Sequence, residues 1–344
     1  MKLAFIDFWP NFEEDNNYWY HLLDSAYDVE IDPNNRNGKA TPDLMFLHTD
    51  SYRFLDRKNY VDTTATRVFW TMEGVPPNFD ADTYAPYPSI RTIGGVGYND
   101  PNSLLTNLSN DFDRSYYYGR CDFALTHEIM SDSRHYRFPY WVYNIDWFNK
   151  GNYGKDPNYL VPENEITNNI YYNTPKTKFC AIFMSNPTCQ RLEAYNKLSA
   201  YKQVDGYGNS FERLAAGLND YKGVATPWEK IKLETLKDYR FSICFEHQVR
   251  DGYHSEKLFH AKVAGTIPIY WGASTVSEDF NPDCFINLND FDSVDAMVER
   301  IKEIDQNETL YQQYAEAPLF VDNAVPDKFK PAAVLDFFQN TVLS

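Results

Sequence analysis

No apolar run in the 344 residues approaches the roughly 20 needed to cross a bilayer, and the opening "MKLAFIDFWP" reaches Asp7 too early to supply a secretory h-region. No CxxC occurs among the five scattered cysteines, 121, 180, 189, 244 and 284, so neither a zinc ribbon nor a disulfide framework is expected. Reduced thiols and a soluble, cytoplasmic setting follow as expectations. Positive charge is scarce: 32 Lys and Arg against 49 Asp and Glu leave a net −17. Nucleic acid and anionic membranes both call for a cationic field, so neither is an expected partner. An anionic small molecule stays open, provided a local basic pocket is set into the acidic surface. Internal repeats and low-complexity tracts are absent.

What is present is length for two domains and material for sizeable cores, with 43% hydrophobic and 17% aromatic residues. The 27 Tyr suit either core packing or a wet-edged, sugar-stacking surface. Short apolar runs read as strands at 2–9, 43–48, 67–73 and 122–128. From Asn149 to Lys178 periodicity gives way to Asn, Tyr, Gly, Lys and Pro, a linker composition. Strands at 178–186, 239–247, 266–272 and 284–288 follow, with helices at 189–201, 255–264 and from about Ser293 to Asp305. Strand–helix alternation in both halves predicts an α/β protein of two Rossmann-like, doubly wound domains facing a cleft. The first domain is expected over 1–155 and the second over 156–344, with the last helix able to pack back on the first.

The stretch "FEHQVRDGYHSEKLFHAKVAGTIPIYWG" at 245–272 concentrates polarity between two strands. Phe241, Ile243 and Phe245 alternate with Ser242, Cys244 and Glu246, the period of a strand. Ser255 is a candidate N-cap and Gly265 a candidate C′ residue, so Glu256 and Lys257 fall in the first helical turn. A strand's C-terminal end followed by a helix N-terminus is where open α/β sheets take ligands, anions especially. Lys257 suits a diphosphate, while Glu256 suits sugar hydroxyls or a centre gaining positive charge. A solvated Lys beside a Glu that favours the helix dipole is the plain alternative.

The order of these pieces resembles the signature of the α-1,3-fucosyltransferases of glycosyltransferase family 10, close to FEN…Y(V/H)(T/S)EK…P(V/I)YWG. The likeness runs from Tyr239 to Phe291. "VFWTMEGVPPNF" at 68–79 and "SNPTCQR" at 185–191 are similar to the family's acceptor-side and donor-binding segments. The resemblance implies a soluble, bacterial-type GT-B enzyme. It implies inverting transfer of L-fucose from GDP-β-L-fucose to GlcNAc or Glc, in α-1,3 linkage with α-1,4 left open, on an acceptor such as N-acetyllactosamine or lactose. Glu73 would be the catalytic base. Arg191 and Lys257 would neutralise the diphosphate, Glu256 would favour oxocarbenium-like charge, and Tyr253 would contact the donor. Trp9 loosely matches an aromatic of the family and is assigned to the acceptor, within "DFWPNFEEDNNYWY", whose aromatics are of an exposed type suited to stacking on a sugar; a core Trp at a strand end is the equal alternative for Trp9. Gly206 and Gly208 offer a tight turn near phosphate or ribose, or an ordinary loop, and "GGVG" at 94–97 lacks a third glycine.

One residue departs from the signature. His247 stands where the family has Asn, so the donor contact there is open. His254 reads as structurally neutral. Asp-x-Asp at 80–82, 111–113 and 290–292 is expected by chance in so acidic a chain. With Arg191, Lys257 and the helix end supplying positive charge, no metal or other cofactor is expected. Alternatives are a GT-B enzyme using another nucleotide sugar, a non-catalytic glycan-binding relative, and a glycoside hydrolase, which would need no diphosphate-binding Lys and Arg. The apolar C-terminal stretch leaves peripheral membrane contact open.

Overall fold

In the computed structural model the described residues are 1–6, 8–9, 12–34, 40–48, 64–72, 92–93, 96–97, 122–185, 188–208, 228–247 and 249–344. Glu73, Gly94, Gly95 and the Asp-x-Asp sequences at 80–82 and 111–113 lie outside them. The chain divides into two units. The first comprises Met1–Pro139, Tyr153–Asp156 and Lys328–Ser344, the second Tyr140–Asn152 and Pro157–Asp327.

The first unit is built on a six-stranded sheet of β1 (Lys2–Ile6), β2 (Glu30–Ile31), β3 (Leu44–Leu47), β4 (Thr66–Trp70), β5 (Phe123–Thr126) and β6 (His135–Arg137), in the order 2-1-3-4-5-6. Every pairing is parallel, with Leu3 opposite Leu44 and Ile6 opposite Leu47. Parallel strands bury both faces, which is why the central runs at 3–6, 44–47 and 68–70 are apolar throughout. Ala4, Ile6, Met45, Leu47, Phe69 and Ala124 form the core on one side. On the other, Phe46 stacks on Phe5 at 5.3 Å and on Trp19 at 5.4 Å. Trp19 lies on α1 (Tyr18–Asp24), whose first turn is capped where Tyr20 N donates to Asn17 Oδ1 at 3.0 Å. Phe338, just after the C-terminal helix Pro331–Phe337, closes the same aromatic cluster against Phe46.

The second unit holds β7 (Lys178–Phe183), β8 (Val204–Tyr207), β9 (Tyr239–Phe245), β10 (Ile267–Trp271) and β11 (Ile286–Asn287), again all parallel, in the order 8-7-9-10-11. Its helices include α2 (Cys189–Ser199), α3 (Trp228–Leu236), α4 (Glu256–Val263), α5 (Val294–Gln306) and α6 (Glu308–Glu316). Phe241, Ile243 and Phe245 share a core with Met297, Val298, Ile301 and Ile304 of α5. The opposite face of β9 is not solvated, as simple alternation would have it. Ser242, Cys244 and Glu246 are buried there too, because α3 and α4 pack on that side. With a parallel sheet in each unit, the α/β class and the GT-B type of fold read from the sequence are present.

Two expectations change. Gly206 is not in a turn: it sits inside β8, paired with Ile182, where the sheet edge needs no special glycine geometry. Of the aromatics in the 7–20 segment, Phe8, Trp9, Phe12, Tyr18 and Trp19 are buried and Tyr20 is half-buried, because the ends of β1, β3 and β4 converge on them.

Candidate active site

After β7 the chain crosses to one side of the second sheet to form β8, then to the other side to form β9. The C-terminal ends of β7 and β9 therefore flank a topological switch point, the place where such sheets leave a crevice. Residues from both ends meet there. Arg191 comes from the first turns of α2, following β7, and only 5% of it is exposed. Its Nε and Nη2 both donate to the Phe245 carbonyl at the end of β9, at 3.0 and 2.6 Å. Burial pushes the guanidinium below its ordinary pKa, while Glu246, Tyr253 and Glu256 oppose that shift.

α4 begins beside it. Ser255 caps the helix through Oγ, which accepts from Lys257 N at 3.4 Å. Glu246, wholly buried, takes up Ser255 and Lys257 together. Ser255 N donates to Oε1 at 2.9 Å, Ser255 Oγ to Oε1 at 2.7 Å, and Lys257 Nζ to Oε2 at 2.9 Å. Lys257 Nζ also bonds Ser255 Oγ at 3.0 Å. Burial would lower the Lys257 ammonium, but Glu246 and Glu256 outweigh it and Arg191, holding the pKa above its usual value. On the other side of Glu256, Lys232 of α3 donates to Oε1 at 2.9 Å. Burial alone would raise the Glu256 carboxyl; the Lys232 and Lys257 ammoniums prevail and hold it well below the carboxylate range. Glu256 is therefore an anion at any ordinary pH. His260, one turn further along α4 and fully buried, is pushed down to about 3 by burial, Lys232 and Lys257, so its ring is neutral.

The loop between β9 and α4 carries the remaining donor-side residues. His247 is half-buried and meets Tyr253 edge-on, ring centroids 5.5 Å apart, with Nδ1 3.5 Å from the phenol oxygen. Tyr253 itself is buried. His254 turns away and pairs with Asp279 at 2.5 Å, an acid that also accepts from Trp141 Nε1 at 3.1 Å. Gly252 N donates to Thr275 Oγ1 at 2.9 Å. These contacts anchor the loop on the body of its unit.

Gly208 follows β8 at a φ of +99°, and a Cβ there would come 2.8 Å from Met184 O, so the position requires glycine. Gly272 ends β10 for a different reason. A Cβ on it would lie 2.3 Å from Tyr270 Oη and 2.9 Å from Glu246 Cγ. In the first unit Trp9 follows β1 and is 9% exposed, packed on Phe12, His48 and Trp70. Among the described residues no group of three or more His, Cys, Asp or Glu is placed to hold a metal ion.

The structure thus brings Arg191, Glu256, Lys257, Tyr253 and His247 to one end of the second sheet; Gly206 lies within β8, and Glu73 is outside the described residues. Two residues escaped sequence reasoning. Glu246 looked like the polar partner in an alternating strand. Lys232 lies on a helix that had no sequence marker, and its partner Glu256 is far along the chain.

Comparison with known proteins places this geometry among relatives. Residues 173–317 match the family described as glycosyltransferase family 10 (fucosyltransferase), C-terminal. An alpha-(1,3)-fucosyltransferase of Helicobacter pylori is 26% identical over 321 residues, covering 90% of this chain and 58% of that protein. The 4-galactosyl-N-acetylglucosaminide 3-alpha-L-fucosyltransferase 9 of Mus musculus is 31% identical over 170 residues, 47% of this chain and 44% of its own length. The chain thus spans about half the length of these curated relatives. A crystal structure of an alpha1,3-fucosyltransferase superposes with a TM-score of 0.66 at 22% identity, over 100% of this chain and 90% of the other. One of an alpha1,3-fucosyltransferase with GDP-fucose gives 0.64 at 23%, with the same coverage. No described helix is long and apolar enough to cross a membrane.

Proposed function

We propose, from the match of residues 173–317 to the glycosyltransferase family 10 (fucosyltransferase) C-terminal region, that the protein transfers L-fucose from GDP-β-L-fucose to a hydroxyl of GlcNAc or Glc. The acceptor is an oligosaccharide such as N-acetyllactosamine or lactose, and the anomeric centre inverts. The acceptor oxygen bonds to C1 as the bond from C1 to the β-phosphate oxygen breaks. The electron pair leaves with GDP, and the acceptor proton passes to a carboxylate, the role given to Glu73.

The remaining roles rest on one observation: a buried Arg191 and the Lys257 ammonium share the switch-point end of the second sheet with the N-terminus of α4. Three sources of positive potential converge where a leaving diphosphate gains charge, so they favour the transition state over the bound donor. Glu256, kept anionic by Lys232 and Lys257, suits the face of a sugar that becomes oxocarbenium-like. Tyr253 and His247 contribute to the donor side, as does Gly208. Trp9 is assigned to the acceptor through the apolar end of the first sheet. The chemistry asks no divalent ion to neutralise the diphosphate. A cytoplasmic setting, and protein-linked glycans as acceptors, complete the proposal; Cys180, Cys244 and Cys284, all unbridged, support the former.

His247, standing where the resembled signature has Asn, favours a second reading in which the same machinery takes another nucleotide sugar. One titration decides between them. Calorimetry with GDP, UDP and ADP in EDTA is expected to give binding of GDP alone. Preference for UDP or ADP would replace the donor, and no binding of any would remove the transferase.

A further inference from the structure

Glu246 has no part in the roles above, yet it is the most enclosed acid of the site, with no measurable exposure. A buried carboxylate costs several kcal/mol unless its oxygens are matched by charge and hydrogen bonds. Here the matching groups all come from the start of α4: the Ser255 amide and hydroxyl, and the Lys257 ammonium. Just after β10, a Cβ on Gly272 would come 2.9 Å from Glu246 Cγ and 2.3 Å from Tyr270 Oη, so this position is bare beside the acid.

The arrangement leaves Lys257 constrained in a specific way. Of its three N–H groups, one goes to Glu246 Oε2 and one to Ser255 Oγ, at 2.9 and 3.0 Å. Its side chain remains 20% exposed, so the third is left to face an anion from outside. We propose that Glu246 is a positioning residue, holding Ser255 and Lys257 so that one ammonium N–H and the first-turn amides of α4 meet the diphosphate of a nucleotide sugar. This deepens the donor-binding reading and rests on it.

A simple helix-capping role predicts something different. Capping would cost stability when lost but would leave the charge of Lys257 alone. The groups facing that ammonium are Glu246 after β9, Glu256 on its own helix, Arg191 from α2 and, through Glu256, Lys232 from α3. Only the two acids support the charged form; burial and Arg191 oppose it. Removing the Glu246 charge therefore lets Lys257 lose its proton at lower pH, and diphosphate binding weakens on the alkaline side.

The test is calorimetric titration of the full chain with GDP and with inorganic diphosphate between pH 6.5 and 11, comparing wild type, Glu246→Gln and Glu246→Asp. Both ligands lose a proton of their own in the alkaline range, identically for every variant, so the difference between variant and wild type at each pH reports the protein. Glu246→Gln is expected to weaken both ligands about 10- to 100-fold at neutral pH and to move the alkaline loss to lower pH. Glu246→Asp, which keeps the charge, should bind less tightly with the alkaline limb near its wild-type position. Wild-type affinity and pH profile in Glu246→Gln would overturn the inference, whatever happens to its melting temperature. Should Glu246→Gln fail to fold, Ser255→Ala removes one of the two tethers on Lys257. It should weaken inorganic diphosphate about 10-fold without moving the alkaline limb, and undiminished affinity would overturn the proposal. Wild type that binds diphosphate but not GDP would remove the nucleotide reading and keep Glu246; wild type that binds neither would remove both.

Discussion

The two sheets share a topology and differ in what they place at their switch points. In the first unit the ends of β1, β3 and β4 deliver Phe8, Trp9, His48 and Trp70, rings packed 5.0 to 6.2 Å apart with no ion pair among them. In the second, the ends of β7 and β9 and the start of α4 deliver Arg191, Glu246, Glu256 and Lys257, joined by Lys232. Apolar rings suit the faces of neutral sugars. Alternating buried charges suit a diphosphate, since their net excess is a single positive charge until the ligand arrives. Under the proposed function, this difference would separate affinity for the charged donor from contact with the neutral acceptor.

The division is most directly broken at Glu73, which belongs by sequence to the first unit. Glu73→Ala is expected to lower transfer on the order of 10²–10⁴-fold while GDP affinity, read by calorimetry, stays within about twofold of wild type. Loss of GDP binding as well would mean that the first unit holds the donor too.

Arg191→Ala should come next. It removes a buried guanidinium that ties α2 to the end of β9, and GDP affinity should fall about 10- to 100-fold. Arg191→Lys should recover little, because an ammonium cannot reproduce the two-nitrogen contact with Phe245 O. Full recovery by Lys would reduce Arg191 to a point charge.

Lys232→Met sharpens the comparison from within the charged unit. Burial then raises the Glu256 carboxyl with less opposition, so its pKa climbs. Because the native value is depressed, the stabilisation it gives is present above the unfolded carboxylate pKa of about 4.3 and is lost as pH falls through the folded value. In the variant both the acid limb of the pH–rate profile and the acid loss of stability should move upward. An unmoved acid limb would detach Glu256 from catalysis.

The smallest effect is expected from Lys262, a buried lysine on α4 that donates to the Tyr314 and Ala315 carbonyls at the end of α6, at 2.9 and 2.7 Å. Burial lowers it to about 8. Below that pH it is charged in both folded and unfolded chains, and the folded state bears the desolvation. Stability from this group therefore rises between about pH 8 and the unfolded value of about 10.4. Lys262→Met should flatten the melting temperature across that window by a few degrees at most. An unchanged slope would mean that the carbonyls of α6 fully compensate the charge.

Much of the second unit was legible because its signals are local. Ser255 caps a helix that starts at Glu256, and Gly265, at a φ of +71° with Tyr171 O 2.2 Å from any Cβ, ends it. Phe241, Ile243 and Phe245 marked the core face of β9 correctly. The same alternation passed over Glu246, since period-two reasoning cannot see α3 and α4 arriving to cover the other face. Lys232 was invisible for a related reason: its partner is fixed by tertiary packing of two helices, and no spacing encodes that. The neighbours of Trp9 were read as exposed because acids flank them in sequence, and Trp9 itself stood open between sugar platform and core; burial there is decided by three strand ends meeting in space. Gly206 looked like a turn residue next to Gly208, yet only Gly208 adopts a left-handed conformation.

Cys244 gives the molecule a built-in clock. Its thiol is buried between β9 and α4, donates to the Lys257 carbonyl at 3.4 Å, and is pushed up to about 12 by burial. Neither an alkylating reagent nor an oxidant meets a thiolate there while α4 is seated. The rate at which Cys244 becomes labelled therefore measures how often α4 lifts from the sheet, a local opening free energy read out at a single atom. A nucleotide clamped at the start of that helix would slow the clock.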